Sequence, residues 1–139
     1  MKFFLILILF CFLLAPIAFA KDLYVARNGN DSVTYANNDI SHPWLSIDHG
    51  VDTMQAGDIL YIRGGTYTET VTISSGGSGG SYKTIQNYTG ETVILDGNGK
   101  TLLRGFDFAN NVNYVKVIGI EVRDFKNFGI TNWYGNINI

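Results

Sequence analysis

The chain has 139 residues, ten Lys plus Arg against twelve Asp plus Glu, and a formal net charge of −2. So even a balance excludes general electrostatic attraction to nucleic acid. A single cysteine, Cys11, excludes a disulfide framework within one chain.

Met1 and Lys2 lead into an unbroken apolar run from Phe3 to Leu14, and the segment closes with Ala18-Phe19-Ala20. A basic start, a short apolar stretch and small residues around the cut are the three parts of a secretory leader, so residues 1–20 are expected to be removed and Lys21 to begin the mature chain. Twelve apolar residues followed by Pro16 are too few to span a hydrocarbon core of about 30 Å. Phe10 ahead of Cys11 lacks the small side chain that a lipoprotein cut requires. The expectation is a secreted, periplasmic or cell-surface protein with no membrane attachment after processing. Its 119 mature residues must then be held by packing alone. Their charge is uneven: residues 21–99 carry four basic and nine acidic groups, residues 100–139 five basic and three acidic, so an acidic ligand points to the C-terminal part.

Beyond the leader, sixteen glycines and thirteen asparagines punctuate β-branched and aromatic runs of four to six residues, the composition of short strands and tight corners. Strands are predicted at Leu23–Arg27, Ile59–Arg63, Thr70–Ile73, Lys83–Asn87, Thr92–Asp96, Tyr114–Ile118 and Ile120–Arg123. One helix is predicted from Ser46 to Gln55: Ile47, Val51 and Met54 share a face, Ser46 caps the start and Gly57 ends it. Gly50 within it costs about 1 kcal/mol relative to alanine.

Asn111-Val-Asn-Tyr114 and Asn136-Ile-Asn-Ile139 match at a separation of 25, and Ile73, Ile94 and Ile118 lie 21 and 24 residues apart. A period in the low twenties with one strand-turn unit per repeat is the mark of a solenoid, here an all-β, right-handed parallel β-helix. The side-chain phase supports it. Val115 and Val117 share one parity, Ile120 and Val122 the other, and the slip falls at Gly119. In Gly57–Ile73, Gly64-Gly65-Thr66-Tyr67 is expected to turn a corner between two faces, with Val71 and Ile73 inward. An antiparallel sandwich would need a reversal at every strand, and the two-residue Asn-Gly and Asp-Gly turns are too few.

The helical segment is expected to lie over the open end of the first coil, in a cap of about residues 41–57 that also buries Trp44, with coils over about 58–139. Nothing similar closes the other end, so the chain is expected to be the N-terminal, C-terminally truncated part of a longer protein, monomeric when whole.

Tyr24-Val-Ala-Arg-Asn-Gly-Asn-Asp-Ser32, Pro43-Trp44-Leu-Ser-Ile47, the Gly57–Ile73 stretch, Asn87-Tyr-Thr-Gly-Glu91 and Ile94-Leu-Asp-Gly97 together resemble the N-terminal region of exported parallel β-helix proteins of the pectate lyase and chondroitin- or alginate-lyase type. The resemblance implies β-elimination on a uronic-acid polymer such as pectin, an acidic polysaccharide being the expected partner. A Lys or Arg base removes the proton beside the carboxylate, and calcium held by clustered aspartates neutralises the charge. Here Asp96, Asp107, Glu121 and Asp124 are scattered singly, so catalytic residues and calcium ligands are expected beyond Ile139. A glycan-binding β-helix without catalysis, or a hydrolase with paired carboxylates, are the alternatives.

Among individual residues, Lys116 and Arg123 lie on outward positions of neighbouring strands, where they could meet a sugar carboxylate; such positions more often form the solvated side of a strand. His42 and His49 have no closely spaced ligand partner, so no metal site is assigned. Trp133 and Tyr134 offer rings for a sugar or for packing. Asn111, Asn113, Asn136 and Asn138 read as a ladder of stacked amides, and Ser74–Ser81 as an exposed loop.

Overall fold

The computed structural model describes residues 20–132 and 137–138. The expected leader, apart from Ala20, lies outside them, as do Trp133, Tyr134 and Asn136. The strands are β1 (Asp22–Val25), β2 (Ile59–Ile62), β3 (Gly65–Tyr67), β4 (Val71–Ile73), β5 (Lys83–Asn87), β6 (Val93–Asp96), β7 (Arg104–Phe108), β8 (Val115–Ile118), β9 (Ile120–Arg123), β10 (Phe128–Asn132) and β11 (Ile137–Asn138), with one α-helix, α1 (Ile47–Thr53).

Every pairing between these strands is parallel. They form three sheets, ordered β1-β2-β5-β8-β11, β3-β6-β9 and β4-β7-β10. The chain visits the three sheets in turn: β2-β3-β4 is one coil, β5-β6-β7 the next, β8-β9-β10 the third, and β11 opens a fourth. This is a parallel β-helix. The antiparallel alternative fails because no two of these strands pair in opposite directions.

Inward side chains repeat coil upon coil. Leu23, Leu60, Ile85 and Val117 are register partners down the first sheet; Tyr67, Leu95 and Val122 down the second; Val71, Phe106 and Ile130 down the third. Most are fully buried, and each of those contributes about 1.5–3 kcal/mol of apolar burial that no coil could achieve alone, Val122 and Ile130 being only partly covered.

The sequence period needs correction. Leu60 pairs with Ile85 and Ile85 with Val117, steps of 25 and 32 residues, while Val115 pairs with Ile137 after 22. Ile73, Ile94 and Ile118 sit on three different sheets, so their spacing is not a coil length. Corner loops absorb the variation, because a coil needs only to return the chain to its ladder. Gly65–Tyr67 is likewise a strand, not a corner, so the Gly57–Ile73 stretch holds all three strands of the first full coil. The loop between β4 and β5 is tied down where Gly77 N–H donates to Asn113 O at 3.1 Å.

Helix α1 covers the first coil, packing on β4, β1 and β2. Ile47, Val51 and Met54 are buried, and Trp44 is fully so, its Nε1–H donating to Val33 O at 2.7 Å. Ser46 caps the helix by accepting from His49 N–H. Gly50, a liability by propensity, is required by contact: a Cβ there would stand 2.8 Å from Leu60 Cδ2 and 3.1 Å from Val25 Cγ2, so glycine lets the lid settle on the core. No helix among the described residues is long and apolar enough to cross a membrane.

Candidate functional site

Each sheet turns one face outward, and the three faces differ in what their side chains leave open. On the first sheet, Tyr24 and Tyr61 stack at 5.5 Å between ring centroids, with Tyr88 at 6.0 Å from Tyr61. The rings cover each other, and the Arg63 guanidinium lies 4.9 Å from the Tyr88 ring centre. Further down, Lys116 Nζ sits 4.5 Å from the Tyr82 ring, which meets Tyr114 edge-on.

On the second sheet Arg123 is engaged by carboxylates: Asp96 at 2.9 Å, Glu121 at 3.3 Å and Asp124 at 3.8 Å. Its bond to Asp96 holds that carboxyl below the usual aspartate range. Lys116 and Arg123 thus belong to different sheets, since the chain bends at Gly119 between them, and the structure does not bring them together. A hollow of about 450 Å³ lies where the first two sheets meet, lined by Arg27, whose Nη1 donates to the Thr66 carbonyl, and by an Arg63–Glu91 pair that neutralises itself. Arg63 grips Glu91 through Nε and Nη2 at 3.0 and 2.7 Å, and the Gly64 N–H donates to the same carboxylate.

The third sheet is different. Thr72, Asp107 and Thr131 are register partners down its outward side. Arg104, at the corner where β7 begins, curls over this face so that Nη1 donates to Asp107 Oδ2 at 2.7 Å. Thr131 Oγ1 donates to Asp107 Oδ1, also at 2.7 Å. Burial alone would raise the Asp107 carboxyl; the Thr131 and Arg104 bonds outweigh it and hold the group below the usual range. Arg104 Nε has no partner among the described residues.

Two open wells of about 380 and 320 Å³ adjoin this pair, both lined by Arg104 and Asp107, one with Thr70, Thr101 and Leu103, the other with Thr72 and Asn110. Leu103 and Phe128 stand about half exposed, and Phe128 is the register partner of Arg104 in the next coil. Threonine hydroxyls and the exposed Leu103 around a concavity suit a sugar, with hydroxyl contacts and an apolar surface for its ring, while the Arg104 charge is already balanced by Asp107, as that of Arg63 is by Glu91.

Sequence reading missed this pair. Residues three apart on one strand point to opposite faces, and only the corner position of Arg104 defeats that rule. Of the predicted amide ladder, Asn111 and Asn113 lie in one loop where Asn113 Nδ2–H donates to Asn111 O, and Asn136 lies outside the described residues. The corner amide is Asn87, whose Nδ2–H donates to Glu91 O at 2.9 Å. His42 pairs with Asp39 at 3.0 Å and the His49 ring meets Trp44 edge-on. Among the described residues no three His, Cys, Asp or Glu side chains are placed to hold a metal ion together. The calcium implied by the resemblance therefore lacks a donor set on them, and they are assigned no calcium chemistry.

Comparison with known proteins fits this architecture. A pectate lyase of Emericella nidulans, PEL9, is 40% identical over 86 residues, which is 60% of this chain and 20% of that enzyme. The uncharacterised Bacillus subtilis protein YwoF is 33% identical over 75 residues, covering 54% of this chain and 15% of that protein. Among solved structures, XylC in complex with xylose superposes with a TM-score of 0.51 at 26% identity, over 55% of this chain and 12% of the other. The chain thus spans a fifth or less of the length of each. The profile of the Pel9A-like right-handed β-helix region matches residues 23–139, and the chain belongs to that family.

Proposed function

We propose that this chain provides the opening coils of an exported polysaccharide lyase that cleaves uronate polymers such as pectin by β-elimination. The observation that carries the reading is the 40% identity to a pectate lyase over a stretch of this parallel β-helix. In this reaction a base takes the proton beside the uronate carboxyl, the pair of electrons forms a carbon–carbon double bond, and the glycosidic oxygen leaves with a proton. The Arg104 face is suited to holding a sugar of the polymer, with Arg104 exchanging its bond to Asp107 for one to the sugar carboxylate, whereas the reacting base is expected outside this chain. Lys116, held over the Tyr82 ring, is a secondary candidate for polymer contact. Arg123 is the weaker of the two, with three carboxylates already around it. Export rests on the residue 1–20 pattern.

The test is the full-length protein incubated with polygalacturonate and other uronate polymers, with and without a calcium chelator, following the absorbance of the unsaturated uronate product. The reading predicts a rise on at least one polymer. Binding of the polymer with no rise on any of them points to a glycan-binding β-helix instead.

A further inference from the structure

Asp58 stands just before β2 and is 1% exposed. Three segments close on its carboxylate: the backbone N–H of Lys21 at 2.8 Å, the backbone N–H of Gln55 at 2.7 Å and the Tyr35 hydroxyl at 2.9 Å. All three donors are neutral in an unprocessed chain. Among the described residues no lysine or arginine nitrogen reaches Asp58 within ion-pair distance; the Lys21 side chain turns instead to the carbonyls of Tyr35 and Ala36. The nearby Lys83 side chain is buried too, and its Nζ donates to Ser75 Oγ at 3.0 Å. A carboxylate this deeply buried ordinarily has a cation beside it, because an uncompensated charge out of water costs several kcal/mol.

The nitrogen that lies 2.8 Å from Asp58 is also the atom that proteolysis after Ala20 would convert from an amide into an α-ammonium. Ala20 is exposed, and Ala18-Phe19-Ala20 carries the small residues a leader peptidase reads. Lys21 is already part of the ladder through its carbonyl, which accepts Ile59 N–H at 3.0 Å. Cleavage at any other bond would place the new charge away from Asp58.

We propose that Asp58 is a built receptor for the processed N-terminus: removal of residues 1–20 places the Lys21 α-ammonium on the Asp58 carboxylate and completes a buried ion pair that the precursor lacks. The hydrolysis of the Ala20–Lys21 bond consumes one water and leaves a carboxylate on the leader and the ammonium on the mature chain. That charge pins β1 to β2 and to the turn carrying Tyr35, so the capped end of the coil stack is completed only after processing. The inference concerns maturation and holds whether the whole protein cleaves, binds or does neither.

The experiment uses the full-length protein exported with its own leader. The mass of its N-terminal peptide is expected to identify Lys21 as the first residue. The α-amine is then labelled with an amine-selective reagent at neutral pH. A rise of about one unit in its pKa from the Asp58 pairing slows labelling about tenfold relative to the denatured protein. A form carrying Gly-Ser ahead of Lys21 keeps Asp58 intact and is expected to melt about 4 °C or more lower. Asp58→Asn, if it folds, is expected to erase both the slow labelling and the difference between extended and processed forms. A terminus elsewhere than Lys21, equal labelling in native and denatured protein, or equal melting of the two forms would each overturn the proposal.

Discussion

Glu69 Oε2 accepts the backbone N–H of Asp48 at 2.9 Å, while Asp48 Oδ1 accepts the N–H of Thr72 at 2.7 Å. The first turn of α1 and the edge strand β4 thereby satisfy each other's free amides. Glu69 also accepts Ile47 N–H at 3.1 Å, and burial raises its pKa. Glu69→Ala strands two helix-terminal amides on a half-buried surface and is expected to cost about 1–3 kcal/mol. Hydrogen exchange at residues 47–53 should rise well before global unfolding, while Glu69→Gln, which keeps an acceptor, should lose less. Unchanged exchange in the alanine variant would show that this wiring does not hold the lid.

Gly119 turns the chain between β8 and β9 with φ at +68°, and a Cβ there would stand 2.1 Å from Asn87 Oδ1. Gly119→Ala is expected to cost about 2 kcal/mol or more, in part from the left-handed backbone and in part from the clash. Adding Asn87→Ala removes the clash and not the backbone strain, so the double variant should recover only part of the stability. Full recovery, read by chemical denaturation, would mean the backbone conformation is free for alanine.

Glu91 lies below the usual glutamate range because of its bonds to Arg63, helped by the Gly64 N–H. Its folded pKa is depressed, so its contribution to stability is present above the ordinary carboxylate value near 4.3 and is lost as pH falls through the lower folded value. Glu91→Gln should therefore match the parent at low pH and lose stability at neutral pH, which flattens the acid side of the profile; the loss is small because the pair is partly solvated. A profile of unchanged shape would count against the Arg63–Glu91 pairing.

Arg104→Ala, assayed in the full-length protein on a uronate oligomer, is expected to raise KM about tenfold with kcat changed less, the loss of one charge-assisted contact. Arg123→Ala should leave KM near its starting value. If Arg123 dominates and Arg104 does not, the binding face is the second sheet rather than the third.

The strands legible in the sequence are those with alternating β-branched residues, such as Val115-Lys-Val-Ile118 and Ile120-Glu-Val-Arg123, because inward positions must stack on the coils above and below. Arg104-Gly-Phe-Asp-Phe108 was missed: two phenylalanines keep the alternation, but Gly105 and the charges hide it. Lys83 points inward from β5 and is buried, with its pKa lowered by burial. That position looked like any strand start, since only the loop carrying Ser75 supplies its partner. The coil length was unreadable for a related reason: the ladders fix register, and nothing fixes how many residues a corner loop spends between them. The Arg104–Asp107 pair depends on a corner geometry that no spacing rule contains.

The most direct test of the lyase reading is the mass of the oligosaccharides released from polygalacturonate by the full-length protein. β-Elimination adds no water, so the fragment carrying the new double bond should be one water lighter than the corresponding hydrolytic fragment. Fragments carrying the full water, or intact polymer after prolonged incubation with calcium, would contradict the account.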